Sequence, residues 1–272
     1  KSHIPSNISV EEQISRLRVS RPDLLVGYAS CILEIARSIP TEDKLHIRPK
    51  FISVNSETST QGERDFISSV FNCPVYDEYS TEETWMISSQ CRNHNYHLFT
   101  DNVWVEFLDD KGDEVATGET GEIVLTTMRS RAMPFIRYRI GDLGRPSGRT
   151  CSCGSNFPLI ESFEGRCGDS FILPSGKIIL SMRILDVLDP IVEKNINLVE
   201  EYKVIQKEKG LIVIQIVKGK NYCEEPFKKV IEKLYEIFGE PVDIVVEPLE
   251  KIPSKGIKRK AIESWVKKEE VR

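Results

Sequence analysis

Hydrophobic residues return at helical spacing in two early stretches, "VEEQISRLRVS" (10–20) and "LLVGYASCILEIARS" (24–38), and predict a helix in each. The proline of "IPTEDK" then marks a turn. "RPKFISVNSE" predicts a short buried strand ending in polar residues, "TQGERDFISSVF" a helix and "CPVYDEY" a second strand. This alternation predicts a parallel α/β layer over residues 1–90. The period then shortens: "YHLFTDNVWVEFLDDKGDEV" and "GETGEIVLTTM" alternate around the turn "DDKGDE" and predict antiparallel strands over 95–165. Further on, "DSFILPSGKIIL" and "EEYKVIQKEKGLIVIQIVKG" predict two hairpins, "EEPFKKVIEKLYEIFG" an amphipathic helix and "PVDIVVEPL" a strand. That is an α+β unit large enough to fold as a small domain. Glycines flank Arg166 and Cys167 in "FEGRCGDS", so the boundary is set there, giving 1–167 and 168–272.

Composition narrows the classes. The 272 residues are 40% hydrophobic and 29% charged, which suits an ordinary soluble globular protein. No apolar run reaches membrane length and no signal-type segment is visible, so no membrane partner and a cytoplasmic location are expected. A net charge of -5 argues against a nucleic-acid partner. Seven cysteines, an odd number in a long charged chain, read as reduced thiols. The chain opens "KSHIPSN", as expected of a processed product or a piece of a longer protein.

Five stretches carry candidate chemistry. "NSET" (Asn55–Thr58) and "YDEYSTEE" (Tyr76–Glu83) fall at the ends of predicted strands, where α/β sheets bind ligands. An aromatic followed by hydroxyls and carboxylates could stack a base, touch phosphate and hold magnesium. The same residues also read as a helix N-cap with acids in the first turn. In "RYRIGD", an aspartate after a glycine turn could accept both hydroxyls of a ribose diol, or form an Arg–Asp pair at a strand end. In "EGRCGD", Arg166 beside glycines could reach a nucleotide across a hinge. "IPSKGIKRKAI" could deliver a lysine to an anionic centre, or be a solvated basic loop.

Taken in order, "GYASCILEIA", "NSE", "DEYSTEE", "GEIVLTTM…AMPFIRYRIGDL", "CSCG", "GRCGD" and "PSKGIKRKAI" resemble the adenylate-forming acyl-CoA ligases, on the phenylacetate–CoA ligase-like and capsular-polysaccharide-type branch. The resemblance covers nearly the whole chain. It implies the distal portion of the large adenylation domain, α/β plus antiparallel β, followed by a mobile α+β lid. It also implies ATP-dependent activation of a carboxylic acid as an acyl-adenylate, then transfer to the thiol of coenzyme A or of a carrier protein. ATP and Mg²⁺ would serve as cofactors and coenzyme A as co-substrate, with a homodimer among the assemblies left open.

By that resemblance Tyr79 would stack on adenine, with Asp77 and Glu57 nearby. Asp142 would grip the ribose and Arg166 would contact the nucleotide. Counted from Tyr79, the family's tyrosine–glycine–x–threonine–glutamate motif becomes Ser80, Thr81, Glu82 and Glu83, with Glu83 on magnesium; a one-residue slip would pair Thr81 with Glu82 instead. The lid's catalytic lysine falls on Ile257, making Lys258 the nearest substitute and Lys255 the next, with Gly168 as the hinge. The family's Ser/Thr/Gly-rich phosphate loop has no counterpart, so the chain looks like an incomplete version.

The knuckle Cys151–Ser152–Cys153–Gly154 and the upstream "QCRNHNYHLF" suggest a closed structural zinc site on Cys91, His97, Cys151 and Cys153, with His94 as substitute. Free buried thiols near a turn are the alternative. Cys31 and Cys73 read as core residues, Cys223 as a loop residue and Cys167 as a hinge residue. A non-catalytic nucleotide-binding or interaction module on the same fold is the second functional reading. A zinc-stabilised nucleic-acid binder is the third, and the net charge opposes it.

Overall fold

The computed structural model describes residues 2–43, 46–194, 199–220, 222–253 and 260–266. Helix α1 (Val10–Ser20) leads into strand β1 (Leu24–Tyr28) and helix α2 (Ala29–Ser38), then β2 (Phe51–Asn55), α3 (Gln61–Phe71) and β3 (Val75–Thr81). Antiparallel strands follow: β4 (Trp85–Gln90), β5 (Tyr96–Leu98), β6 (Val103–Leu108), β7 (Gly121–Thr127), β8 (Tyr138–Ser147) and β9 (Leu159–Arg166). Beyond a short 3-10 turn at Cys167–Asp169 come the β10 (Phe171–Ile172)/β11 (Ile178–Ile179) hairpin, α4 (Ser181–Lys194), β12 (Val199–Glu208), β13 (Leu211–Lys218), α5 (Glu225–Phe238), β14 (Asp243–Leu249) and β15 (Ile262–Ser264).

Parallel and antiparallel strands share one nine-stranded sheet, ordered β1-β2-β3-β4-β5-β9-β8-β7-β6. On one face of β2 and β3, Ile52, Val54 and Val75 are buried with Ile32 and Leu33 of α2 and Ile67 and Phe71 of α3. The antiparallel half has a separate core around Ile87, Val103, Leu125 and Ile160. The C-terminal residues build their own core, in which α4 and α5 pack on a four-stranded sheet ordered β14-β13-β12-β15. Phe227, Val230, Leu234 and Phe238 supply the buried stripe of α5, which ends on Gly239 at φ 70°.

Three local expectations change. Residues 24–38 are not one helix: Leu24–Tyr28 pair in parallel with Phe51–Asn55, and only Ala29–Ser38 is helical. The alternating exposure of "LLVGY" is a strand period, and the βαβ pairing outweighs the helical spacing that Leu24 and Leu25 share with the residues after them. Tyr76, Asp77 and Tyr79 lie in β3, within the strand expected over "CPVYDEY", but a turn into β4 follows them, so the N-cap alternative fails and "YSTEE" caps no helix. Helix α4 was not anticipated, and its interior Pro190 hides it from a periodicity search.

Helix α3 begins with a capping box. The Thr60 side chain accepts from the Glu63 amide while Glu63 accepts from the Thr60 amide. Replacing Thr60 with Ala should therefore lower unfolding free energy by about 1 kcal/mol. Urea denaturation measures it, and an unchanged midpoint would show that the cap contributes nothing.

Candidate functional site

A cleft of about 420 Å³ opens where the end of β2 and the starts of α2 and α3 face the C-terminal unit. Ser30, Glu57 and Thr60 line it together with Arg166, Asp169, Ser181 and Lys260. Tyr28, the N-cap of α2, makes no side-chain cap bond; Glu57 instead accepts from the Ser30 amide at 2.9 Å, which satisfies one of the helix's free N–H groups.

Beside the cleft, Asp142 gathers the predicted ribose-side residues. Tyr79 donates its hydroxyl to Asp142 Oδ2 at 2.5 Å, and Arg166 Nε donates to Oδ1 at 3.0 Å. Arg166 also donates to the Ile140 carbonyl at 3.1 Å. Asp142 and Arg166 are direct partners in the β8–β9 register, so the sheet itself sets them face to face. Gly141, at φ 78°, supplies the turn of backbone that precedes Asp142. The Tyr79 ring lies 4.1 Å, centroid to centroid, from Phe163, and burial, then the Asp142 charge, push its phenol up.

Asp77 is drawn elsewhere. It accepts the Tyr96 hydroxyl at 2.5 Å and stands 3.9 Å from Arg64. Burial pushes its carboxyl up to about 6, against the lowering effects of the Tyr96 bond and the Arg64 charge. Ser80 pairs with Met86 across the sheet, and Thr81 Oγ1 meets Thr84 Oγ1 at 3.0 Å. Glu82 and Glu83 are exposed, with Glu83 accepting from the Tyr138 hydroxyl at 3.3 Å. Lys258, like Lys255 and Ile257, lies outside the described residues.

At the boundary, a Cβ on Gly168 would meet nothing within 4 Å, whereas one on Gly165 would fall 2.0 Å from Ser181 Oγ. The tight position is therefore Gly165. Lys260 was also missed: its Nζ lies 2.8 Å from Asp169 in the cleft. It stands two residues before buried Ile262, so strand alternation was the available signal.

Away from the cleft, ligand atoms of Cys91, His97, Cys151 and Cys153 all lie within 4.8 Å of one another. Cys91 and Cys151 sulfurs are 3.6 Å apart, and Cys153 Sγ is 3.3 Å from His97 Nε2. Tetrahedral bonds of about 2.1–2.3 Å need donor separations of roughly 3.4–3.8 Å, which the Cys91–Cys151 pair meets and the Cys153–His97 pair approaches. His97 Nδ1 faces the Phe157 carbonyl at 3.0 Å, which favours a proton there and a free lone pair on Nε2. A backbone N–H from Cys153, foremost, holds the Cys151 thiol down to about 6. His94 is not in the group; its ring faces Tyr76 instead.

Residues 171–262 match the family model of the CapK C-terminal domain. Protein CapK of Staphylococcus aureus is 31% identical over 130 residues, covering 47% of this chain and 28% of that protein. The chain is similar to the CapK and phenylacetate–CoA ligase proteins and shares the fold of adenylate-forming CoA ligases. The phenylacetate–coenzyme A ligase of Thermus thermophilus is 24% identical over 213 residues, covering 74% of this chain and 46% of the ligase. The chain thus spans less than half the length of these curated relatives. The solved 2-hydroxyisobutyryl-CoA ligase in its postadenylation state superposes with TM-score 0.77 at 18% identity, over 96% of this chain and 59% of that one. The same ligase in its thioesterification state scores 0.56 over a like span. No helix among the described residues is long and apolar enough to cross a membrane.

The Asp77 carboxyl gives a pH test of the site's packing. Its stabilising contribution is full below the ordinary carboxylate range and is lost as pH rises through about 6, because ionisation must then occur in a buried site. Wild type should gain on the order of 2 kcal/mol relative to Asp77→Asn between about pH 7.5 and pH 4.5. Denaturation at both pH values measures the difference, and equal differences would refute it.

Proposed function

We propose that this chain forms the ribose-side and lid portion of an adenylate-forming site that activates a carboxylic acid with ATP and passes the acyl group to a thiol. The observation that carries this is the convergence of Tyr79, Asp142 and Arg166 beside a cleft closed by the C-terminal unit. The better fit to a postadenylation arrangement than to a thioesterification one supports a lid in its adenylate-facing orientation.

In this reading Asp142 accepts the ribose hydroxyls, and adenine stacks on the Tyr79 face away from Phe163. Arg166, exposed and only lightly held, turns to the α-phosphate. A carboxylate oxygen of the acid attacks the α-phosphorus, the bond to pyrophosphate breaks, and acyl-AMP forms. A thiol sulfur then attacks the acyl carbon and AMP leaves. Magnesium, when bound, offsets the repulsion between the anions, and Glu83 is its proposed ligand. Lys258 is the proposed lid cation, and residues 168–272 turn as the lid about Gly168. The acceptor is coenzyme A or a carrier-protein thiol. A cytoplasmic location follows from the need for ATP and reduced thiols.

We further propose that Cys91, His97, Cys151 and Cys153 hold one structural zinc. Four protein donors would leave it no open position, so its role is to tie the β4–β5 turn to the loop before β9. One zinc per chain is expected by elemental analysis. Cys151→Ser should lose the metal and lower the melting temperature by several degrees. Metal-free protein with wild-type melting would refute the site.

The deciding experiment pairs AMP calorimetry with ATP–pyrophosphate exchange across aryl and short alkyl carboxylic acids. AMP binding that weakens about tenfold or more in Asp142→Asn, with acid-dependent exchange, establishes the activity. Ile257 at the family's lysine position favours the second reading, a non-catalytic nucleotide-binding module. That reading predicts AMP binding sensitive to Asp142 without exchange. No binding at all overturns both.

A further inference from the structure

Two separate apolar cores lie along the large sheet, and a polar seam stands between them. The parallel half packs around Ile67 and Val75, the antiparallel half around Ile87 and Ile160. The seam consists of Arg64 from α3, Asp77 from β3, Gln90 from β4 and Tyr96 from β5. Strand register sets Asp77 level with buried Val54, and Tyr96 level with Gln90 and buried Ile160.

Hydrogen bonds tie the seam together. Tyr96 donates its hydroxyl to Asp77 Oδ2 at 2.5 Å, and Gln90 Oε1 accepts from the Asp77 amide at 3.0 Å. Arg64 stands 3.9 Å from the Asp77 carboxylate and donates to the Ser59 hydroxyl and to Gln61. A buried network of this kind specifies one arrangement, because any member left unpaired in low-dielectric surroundings is costly.

The chain of contacts does not end at Tyr96. The edge of its ring meets Phe163 at 5.1 Å and 87°, and Phe163 lies 4.1 Å from the Tyr79 ring with 35° between their planes. Tyr79 is also held at its hydroxyl by Asp142. A bond at the hydroxyl fixes the tip of a phenol and leaves the ring plane free to rock about its long axis. A second ring against one face removes that freedom.

We infer that Asp77, Tyr96 and Phe163 are positioning residues for the base platform: they set the plane of the Tyr79 ring from behind, without touching the nucleotide. The inference rests on the proposed reading of Tyr79 as the residue that stacks on adenine. It goes beyond that reading by giving a task to a carboxylate that shares a strand with Tyr79 yet bonds away from Asp142.

Calorimetry with AMP and with ribose 5-phosphate tests it, because the adenine is what distinguishes the two ligands. Phe163→Leu should cut the preference for AMP over ribose 5-phosphate about fivefold, and Tyr96→Phe, which removes one oxygen, about threefold. Phe163→Tyr keeps a ring against Tyr79 and should restore the wild-type preference. Affinity for ribose 5-phosphate itself should stay at the wild-type value, since Asp142 keeps its strand position and its Arg166 partner. An unchanged preference in both Phe163→Leu and Tyr96→Phe overturns the inference and leaves the proposed function standing. Equal loss of both ligands overturns it too, because these residues would then only support the fold. A loss in Phe163→Leu alone overturns the part given to Tyr96 and Asp77. If Phe163→Leu does not fold, Tyr96→Phe decides by itself. Wild type that binds AMP no better than ribose 5-phosphate, or binds neither, removes the base platform and overturns the proposed reading along with this one.

Discussion

One carboxylate ties together strands that are far apart in the sequence. Asp142 receives the hydroxyl of Tyr79 from 63 residues upstream and the guanidinium of Arg166 from 24 residues downstream. Both partners arrive by strand geometry. Arg166 is the register partner of Asp142, while Tyr79 comes across β4, β5 and β9 in the order of the sheet. The energetics differ between the two bonds. The Tyr79 hydroxyl is largely shielded from water, whereas Arg166 is 65% exposed and a surface pair of that sort contributes only about 0–1 kcal/mol. Asp142 is thus held in place by the first bond and can give up the second to a ligand at little cost.

Everything C-terminal to Arg166 inherits its position from that corner. Gly165 takes φ 88°, and its missing Cβ is what lets Ser181 at the start of α4 approach the strand. Beyond it the chain makes its own core from Phe171 to Ile262. Across the cleft, Ser181 Oγ donates to the Glu164 carbonyl at 3.5 Å and Arg37 to the Glu200 carbonyl at 3.4 Å.

How much of this was legible beforehand depended on whether the signal was local. The α5 stripe, the β12–β13 hairpin and the switch from helical spacing to alternation near residue 95 are written in runs of neighbouring residues. The boundary between β1 and α2 is not, because Leu24 and Val26 fit either period and only pairing with Phe51 and Ser53 decides between them. The same limit applies in the site. Asp142 and Arg166 stand out through glycines that a turn or bulge requires, but Asp77 looked like part of the nucleotide set until Tyr96 and Arg64 claimed it. His97 was the expected ligand, with His94 as its substitute, and the structure groups His97 with the cysteines. Alternation turns His97 toward the sulfurs, and His94, at φ 56° in the turn, points to Tyr76.

The departure from the family motif at Ser80 has a structural account. A glycine is obligatory only where the backbone needs φ in the left-handed region or where a Cβ would collide. Among the described residues the non-glycine positions with such φ are Arg21, Ser56, Asn72, Trp85, His94 and Arg137, and Ser80 is not one of them. The register shift in the β3–β4 hairpin falls between Tyr79 and Ser80, and the left-handed residue of the hairpin is Trp85, at φ 64°. An unusual residue for that conformation, Trp85 is 80% exposed, so its bulky ring meets solvent rather than a neighbour. A serine at position 80 therefore meets no backbone demand for glycine and leaves Tyr79 in register beside Asp142.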